Sequence, residues 1–170
     1  MKAGRLWLLL DVSNLAWRAH HTTGSLSYEG EDTGIPFGIL RDLRTWTKQF
    51  QPAGVVFAFD QGENLRRKLS PTYKRRVTPL YPGVGNNKVE ERKQVHLQIE
   101  ALRHKYLPEL GYQNMFGQDG FEADDILASV VQRTLPLGDE AVIISNDHDL
   151  YQLLDLDTIS IWKPITKVHY

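Results

Sequence analysis

The sequence predicts an α/β domain built on a central, mostly parallel sheet. Three observations predict it. Short, continuous apolar runs stand at Leu6–Leu10, Val55–Phe59 and Ala141–Ser145, the pattern of strands buried on both faces. Segments with helical apolar periodicity separate them, and Gly or Pro punctuates the changes of pattern. The length, 170 residues, suits one domain with a sizeable core.

The elements follow in order. Leu6–Leu10 is too short for a membrane span or most signal segments, and no small-residue cleavage site follows it, so it reads as a buried strand. Ser13 or Asn14 caps a short helix through His20. Gly34 to Phe50 carries Ile39, Leu43, Trp46 and Phe50 at helical spacing. Gly54 punctuates, and Val55–Phe59 is the second strand. Leu65–Gly85 contains Pro71, Pro79, Pro82, Gly83 and Gly85 and reads largely as loop. Lys88 to Leu110 places Val95, Ile99, Leu102, Tyr106 and Leu110 along a long helix that Gly111 stops. A helix over Ala123–Leu135, a strand over Ala141–Ser145, a short helix over Leu150–Leu154 and a last strand over Thr158–Trp162 complete the chain. No fixed-period repeat and no low-complexity tract interrupts it.

Composition narrows the function. Hydrophobic residues are 41% and charged residues 24%, the globular norm, which argues against global disorder. The absence of cysteine excludes a disulfide scaffold, thiolate zinc and iron–sulfur centres and a cysteine nucleophile, and is compatible with a cytoplasmic setting. A net charge of -1 at face value argues against a nucleic-acid binder. The charges are, however, segregated. Between Glu63 and Glu90 there is no acid, but there are Arg66, Arg67, Lys68, Lys74, Arg75, Arg76 and Lys88. From Gln118 to Asp157 the acids Asp119, Glu122, Asp124, Asp125, Asp139, Glu140, Asp147, Asp149, Asp155 and Asp157 face Arg133 alone.

Three predicted strands end in acid: Asp11 after the first, Asp60 after the second, and Asp147 and Asp149 after the third. Glu122, Asp124 and Asp125 open a helix. In a parallel sheet the C-terminal strand ends share one edge, where ligands bind. Carboxylates gathered there cannot all stay ionised without positive charge between them. Mg²⁺ or Mn²⁺ suits an all-oxygen site, and two such ions serve an in-line phosphoryl displacement. Each acid alone also fits a turn, a cap or a solvated loop. Recurrence at three strand ends favours the metal reading. The basic middle reads as a solvated loop or as a phosphate-binding tract in which Tyr73 and Tyr81 stack on bases.

Four segments resemble the 5′→3′ exonucleases and flap endonucleases, a family that includes phage enzymes and the 5′-nuclease domain of bacterial DNA polymerase I. They are Leu8-Leu-Leu-Asp11-Val-Ser-Asn-Leu-Ala-Trp-Arg18, Val56-Phe-Ala-Phe-Asp60 with Tyr73-Lys74-Arg75-Arg76, Phe121-Glu122-Ala-Asp124-Asp125-Ile-Leu-Ala-Ser, and Ile143-Ile-Ser-Asn-Asp147-His-Asp149-Leu-Tyr-Gln152. The resemblance implies a PIN-like, resolvase-like domain over 1–170 with an arch at about 62–93. It implies that Asp11, Asp60, Glu122, Asp124, Asp125, Asp147 and Asp149 hold Mg²⁺ or Mn²⁺. Arg18 and Lys74 become catalytic contacts to the scissile phosphate. Arg66, Arg67, Tyr73, Arg75, Arg76 and Lys88 join them in binding the strand. The implied substrate is DNA with 5′ ends, flaps or forks, or an RNA–DNA hybrid, handled in replication or repair in a bacterial or phage-infected cytoplasm, with no membrane partner.

The family's helix–hairpin–helix region and its late aspartate pair have no counterpart before Tyr170. The expected consequence is an incomplete second metal site, or a separate chain that supplies the region. A PIN-type single-strand ribonuclease and a non-catalytic nucleic-acid-binding half are the rival readings. Gly83-Val-Gly85 lacks a third glycine and there is no phosphate-loop lysine motif. His20-His21 could bind metal, but no thiolate or partner cluster adjoins them in sequence, and a polar helix end is the favoured reading.

Overall fold

The computed structural model describes residues 4–70, 84–136 and 138–170. Strand β1 (Leu6–Asp11) is the centre of a six-stranded sheet, with β4 (Gly54–Ala58) on one side and β6 (Glu140–Ile144) on the other, both parallel to it. Beyond them lie β5 (Met115–Phe116) and β7 (Ile159–Lys163), also parallel to their neighbours. The terminal strand β8 (Val168–His169) is antiparallel to β7, so the order is β5-β4-β1-β6-β7-β8. The expected central, mostly parallel sheet is therefore present. A separate hairpin, β2 (Ser27–Tyr28) and β3 (Glu31–Asp32), turns through Glu29 and Gly30, both at positive φ, as a two-residue hairpin turn requires.

The continuous apolar run of β1 has a simple cause. Successive side chains point to opposite faces, and both faces are covered. Leu8 and Leu10 pack with Val55, Phe57, Val142 and Ile144 beneath α1 (Val12–Thr23), α2 (Gly34–Phe50) and α4 (Val84–Ala101). Leu9 packs with Val56, Ile143 and Ile161 against Leu127 of α6 (Ala123–Ser129) and Leu150 and Leu153 of a 3₁₀ turn over Asp149–Asp155. Gly54 is more than punctuation. It is the first residue of β4, paired with Trp7, and a Cβ there would lie 2.4 Å from the indole Cζ3.

The helices depart from expectation at their ends. The cap of α1 is Asp11, not Ser13 or Asn14: its carboxylate accepts the Asn14 N–H at 3.1 Å, and the helix runs on to Thr23. The stretch expected to be largely loop contains α3 (Leu65–Leu69), capped by Asn64, and ends where α4 begins at Val84. The long helix expected from Lys88 therefore starts earlier. It then widens into a π turn over Leu102–Tyr106 before α5 (Leu107–Glu109). Pro108 explains the wide turn, since it lacks an N–H and its ring needs room in the preceding turn. Gly111, at φ 85°, ends the run. A second π turn over Val130–Thr134 follows α6.

Candidate metal centre

The C-terminal edge of the parallel strands carries the acids. Asp11 ends β1 and is buried, at 5% exposure. One carboxylate oxygen caps α1, and the other accepts the Ser145 hydroxyl at 2.9 Å. Ser145 directly follows β6, is fully buried, and also accepts the Asp147 N–H at 3.0 Å. Asp147 in turn accepts the Asp149 N–H at 2.9 Å, which closes the loop onto itself. Asn14 takes the Asn146 backbone and side-chain N–H groups, each at 3.1 Å, and Asn146 accepts the Ile165 N–H at 3.0 Å. The β6 loop is thus pinned to α1 from one side and to the β7–β8 connection from the other.

Asp60, exposed just past β4, bridges toward α6. Its carboxylate accepts the Ala123 N–H at 2.7 Å, and its own N–H donates to Ser13 Oγ at 3.3 Å. Glu122 and Asp125 form a reciprocal capping box at the start of α6, with the Glu122 N–H donating to Asp125 at 3.2 Å. Asp124 accepts the Asp125 N–H at 2.7 Å. Glu122, Asp124 and Asp125 each offer a ligand atom, all within 4.8 Å of one another.

Arg66 of α3 sits over this group. It pairs with Glu122 at 2.8 Å, with Asp125 through its second terminal nitrogen, and with Asp124 at 3.9 Å. Its position comes from a tertiary turn: the Leu65 N–H donates to Gly120 O at 2.9 Å and the Gly120 N–H to Gln61 O at 2.9 Å. Gly120, at φ 89°, is needed there, because a Cβ would lie 2.6 Å from Leu65 Cγ.

Burial pushes the Asp11 carboxyl up to about 7. The hydrogen bonds from Asn14 and Ser145 oppose that rise, while the negative charges of Asp60 and Asp147 add to it. Asp124 is also raised, first by burial and then by Asp125 and Glu122, with Arg66 offsetting part of the rise. These are carboxylates that would gain from a bound cation. With oxygen donors throughout, the residues present fit a hard divalent ion.

All seven predicted carboxylates thus lie on or beside one edge. Of the basic residues, Arg66 is inside the cluster. Arg18 lies on α1 and pairs with Asp42 of α2, and Arg41 binds the same carboxylate at 3.0 Å. Lys88 is exposed on α4. Arg67 belongs to α3, though its side chain is not described, and Tyr73, Lys74, Arg75 and Arg76 lie outside the described residues. Sequence reasoning missed Ser145, Asn14 and Asn146. The available signal was a small hydroxyl and two amides inside the acidic motifs themselves.

The family described as the 5′-3′ exonuclease, N-terminal resolvase-like domain, matches residues 6–170. DNA polymerase I of Treponema pallidum (strain Nichols) is 28% identical over 164 residues, covering 95% of this chain and 15% of that protein. The 5′-3′ exonuclease of Buchnera aphidicola subsp. Schizaphis graminum is 26% identical over 157 residues, covering 91% of this chain and 50% of that protein. The chain thus spans at most half the length of these curated relatives. Among solved structures, the T5 5′-exonuclease with bound divalent metal ions (zinc) superposes with a TM-score of 0.74 at 20% identity, covering 98% of this chain and 58% of that chain. That likeness establishes the fold.

Proposed function

The chain belongs to the 5′-3′ exonuclease family, whose N-terminal resolvase-like domain it carries, and from that premise we propose that it hydrolyses phosphodiester bonds of DNA at or near a free or flapped 5′ end. The observation that carries the reading is the acidic edge: Glu122, Asp124 and Asp125 within 4.8 Å of one another, beside a buried Asp11 whose carboxyl is pushed up to about 7.

Asp11, Asp60, Glu122, Asp124, Asp125, Asp147 and Asp149 would hold Mg²⁺ or Mn²⁺, which suit carboxylate donors. Such a cation, when bound, polarises a phosphoryl oxygen and lowers the pKa of water. The chain's own residues do the rest. Arg66 offsets part of the negative charge of the Glu122, Asp124 and Asp125 group, and with a cation bound there its guanidinium would turn to a phosphate oxygen. Asp11 must release its proton before it can serve as a ligand, so the apparent metal affinity rises with pH up to about 7 and then levels. Lys74 and Arg18 bind the scissile phosphate, while Arg67, Tyr73, Arg75, Arg76 and Lys88 steer the single strand. Arg18 must first exchange Asp42 for phosphate.

A second reading is a nucleic-acid-binding half completed by a separate helix–hairpin–helix chain. No helix among the described residues is long and apolar enough to cross a membrane; the proposed place of action is the cytoplasm.

The test is cleavage of a labelled 5′-flap DNA by the pure chain in Mn²⁺ or Mg²⁺, with EDTA and the Asp125→Ala variant as controls. Cleavage that EDTA and Asp125→Ala both abolish is expected. Binding without cleavage selects the second reading, and preference for unstructured RNA over flap DNA selects a PIN-type ribonuclease.

A further inference from the structure

The adjacent histidines that looked isolated in the sequence acquire a third partner in the fold. His20 and His21 lie in the last turn of α1, and Glu91 reaches them from α4, with Glu91 Oε1 at 2.9 Å from His20 Nε2. Neighbouring residues on a helix point about 100° apart, yet the two imidazoles converge to a centroid distance of 5.3 Å. Trp17, one turn earlier, closes one side, edge-on to His20 at 5.9 Å. His20, His21 and Glu91 each offer a ligand atom, all within 4.8 Å of one another.

We propose that His20, His21 and Glu91 form a transition-metal site, separate from the carboxylate edge, that clamps α1 to α4 when Zn²⁺ or a similar imidazole-preferring ion binds. Two imidazoles and one carboxylate are a set that zinc accepts, with the fourth position left to water. The same set disfavours Mg²⁺, which takes oxygen donors. The geometry needs little change. Zn–N and Zn–O bonds of about 2.0–2.2 Å put tetrahedral donors roughly 3.4 Å apart. The His20–Glu91 pair is already closer than that, at 2.9 Å, and the exposed His21 has a ligand atom within 4.8 Å of both. His20 Nδ1 is buried and has no hydrogen-bond partner among the described residues, so Glu91 is the ring's one polar tie. A cation entering there breaks one hydrogen bond and replaces it with a coordinate bond to each partner.

Zinc titration calorimetry on the whole chain tests this in excess Mg²⁺, which competes for the oxygen sites. One Zn²⁺-binding event is expected in the wild type and unchanged in the Asp124→Asn/Asp125→Asn variant. His21→Ala and Glu91→Gln each remove a direct ligand. Their loss of zinc affinity should exceed the roughly 10–100-fold cost of losing an outer-shell partner. Zn²⁺ should also raise the thermal midpoint of the wild type but not of His21→Ala. If His21→Ala does not fold by circular dichroism, His21→Gln, which keeps the bulk, gives the same reading. The proposal is overturned if the Mg²⁺-insensitive event is absent from the wild type, if His21→Ala or its substitute leaves zinc affinity unchanged, or if Asp124→Asn/Asp125→Asn abolishes it.

Discussion

Replacing Asp11 with asparagine separates the electrostatic role of this residue from its architectural one. Asp11 is 5% exposed, and burial holds its carboxyl at about 7 against an ordinary value of 3.8. Because the folded-state value is the higher one, the folded chain binds an extra proton between those two pH values. The contribution of Asp11 to metal-free stability must then fall as pH rises from about 4 to about 7, and level off above that. At roughly 1.36 kcal/mol per pH unit, the full loss is about 4 kcal/mol. Asparagine carries no charge and escapes it. The amide carbonyl keeps the bond from the Asn14 N–H, while the amide nitrogen now donates to Ser145 Oγ, reversing one hydrogen bond at a cost of about 1 kcal/mol. In EDTA, Asp11→Asn should therefore be about 1 kcal/mol less stable than the wild type at pH 4 and about 3 kcal/mol more stable at pH 8. Urea unfolding at the two pH values, followed by circular dichroism, measures both differences. Saturating Mg²⁺ should shrink or reverse the gain at pH 8, since the wild type alone keeps the carboxylate. A variant that tracks the wild type from pH 4 to pH 8 in EDTA would refute the reasoning.

Three further outcomes follow from the same geometry. Ser145→Ala removes the donor to Asp11 and the acceptor for the Asp147 N–H in a fully buried position, so it should cost about 1–3 kcal/mol. It should also move the Asp11 titration upward, because that hydrogen bond lowers it; carbon-13 NMR of the carboxyl reads the direction, and a downward move contradicts the assignment. Leu127→Ala opens a cavity at a site of 0% exposure between α6 and the sheet, and thermal unfolding should report a loss of about 2–5 kcal/mol. Gly120→Ala puts a side chain at φ 89° and 2.6 Å from Leu65 Cγ. A loss of roughly 1–3 kcal/mol by urea unfolding is expected, with the Arg66 ion pairs disturbed along with α3.

What the sequence could disclose of this site depended on how far apart in the chain the partners are. Asp11, Asp60 and Asp147 follow apolar runs, and a parallel sheet puts all such ends on one edge whatever the strand order, so those acids were legible without knowing a single contact. Asp139 and Glu140 inflate the same acidic count but stand at the start of their strand rather than its end. They lie at the opposite edge, where Asp139 accepts from the Arg5 N–H at 3.0 Å and from the Trp7 indole at 2.8 Å. Charge totals cannot make that distinction; position relative to the strand can. The strands β5 and β8 span two residues each and are too short for any periodicity to register. Arg66 was visible as a basic residue, but its place over Glu122, Asp124 and Asp125 depends on hydrogen bonds between 61–65 and 120–121, which no local pattern encodes. That contact revises the electrostatic argument. Clustered carboxylates demand positive charge, and the fold meets part of that demand in two ways before any ion arrives. The group on α6 is partly offset by an internal guanidinium. Asp11, buried beyond its reach, is balanced by holding a proton. A cation entering the first place competes with an arginine, and one entering the second competes with a proton. The second competition depends on pH near neutrality, where the Asp11 carboxyl is pushed to about 7, so a pH dependence of metal binding at that place reports on Asp11.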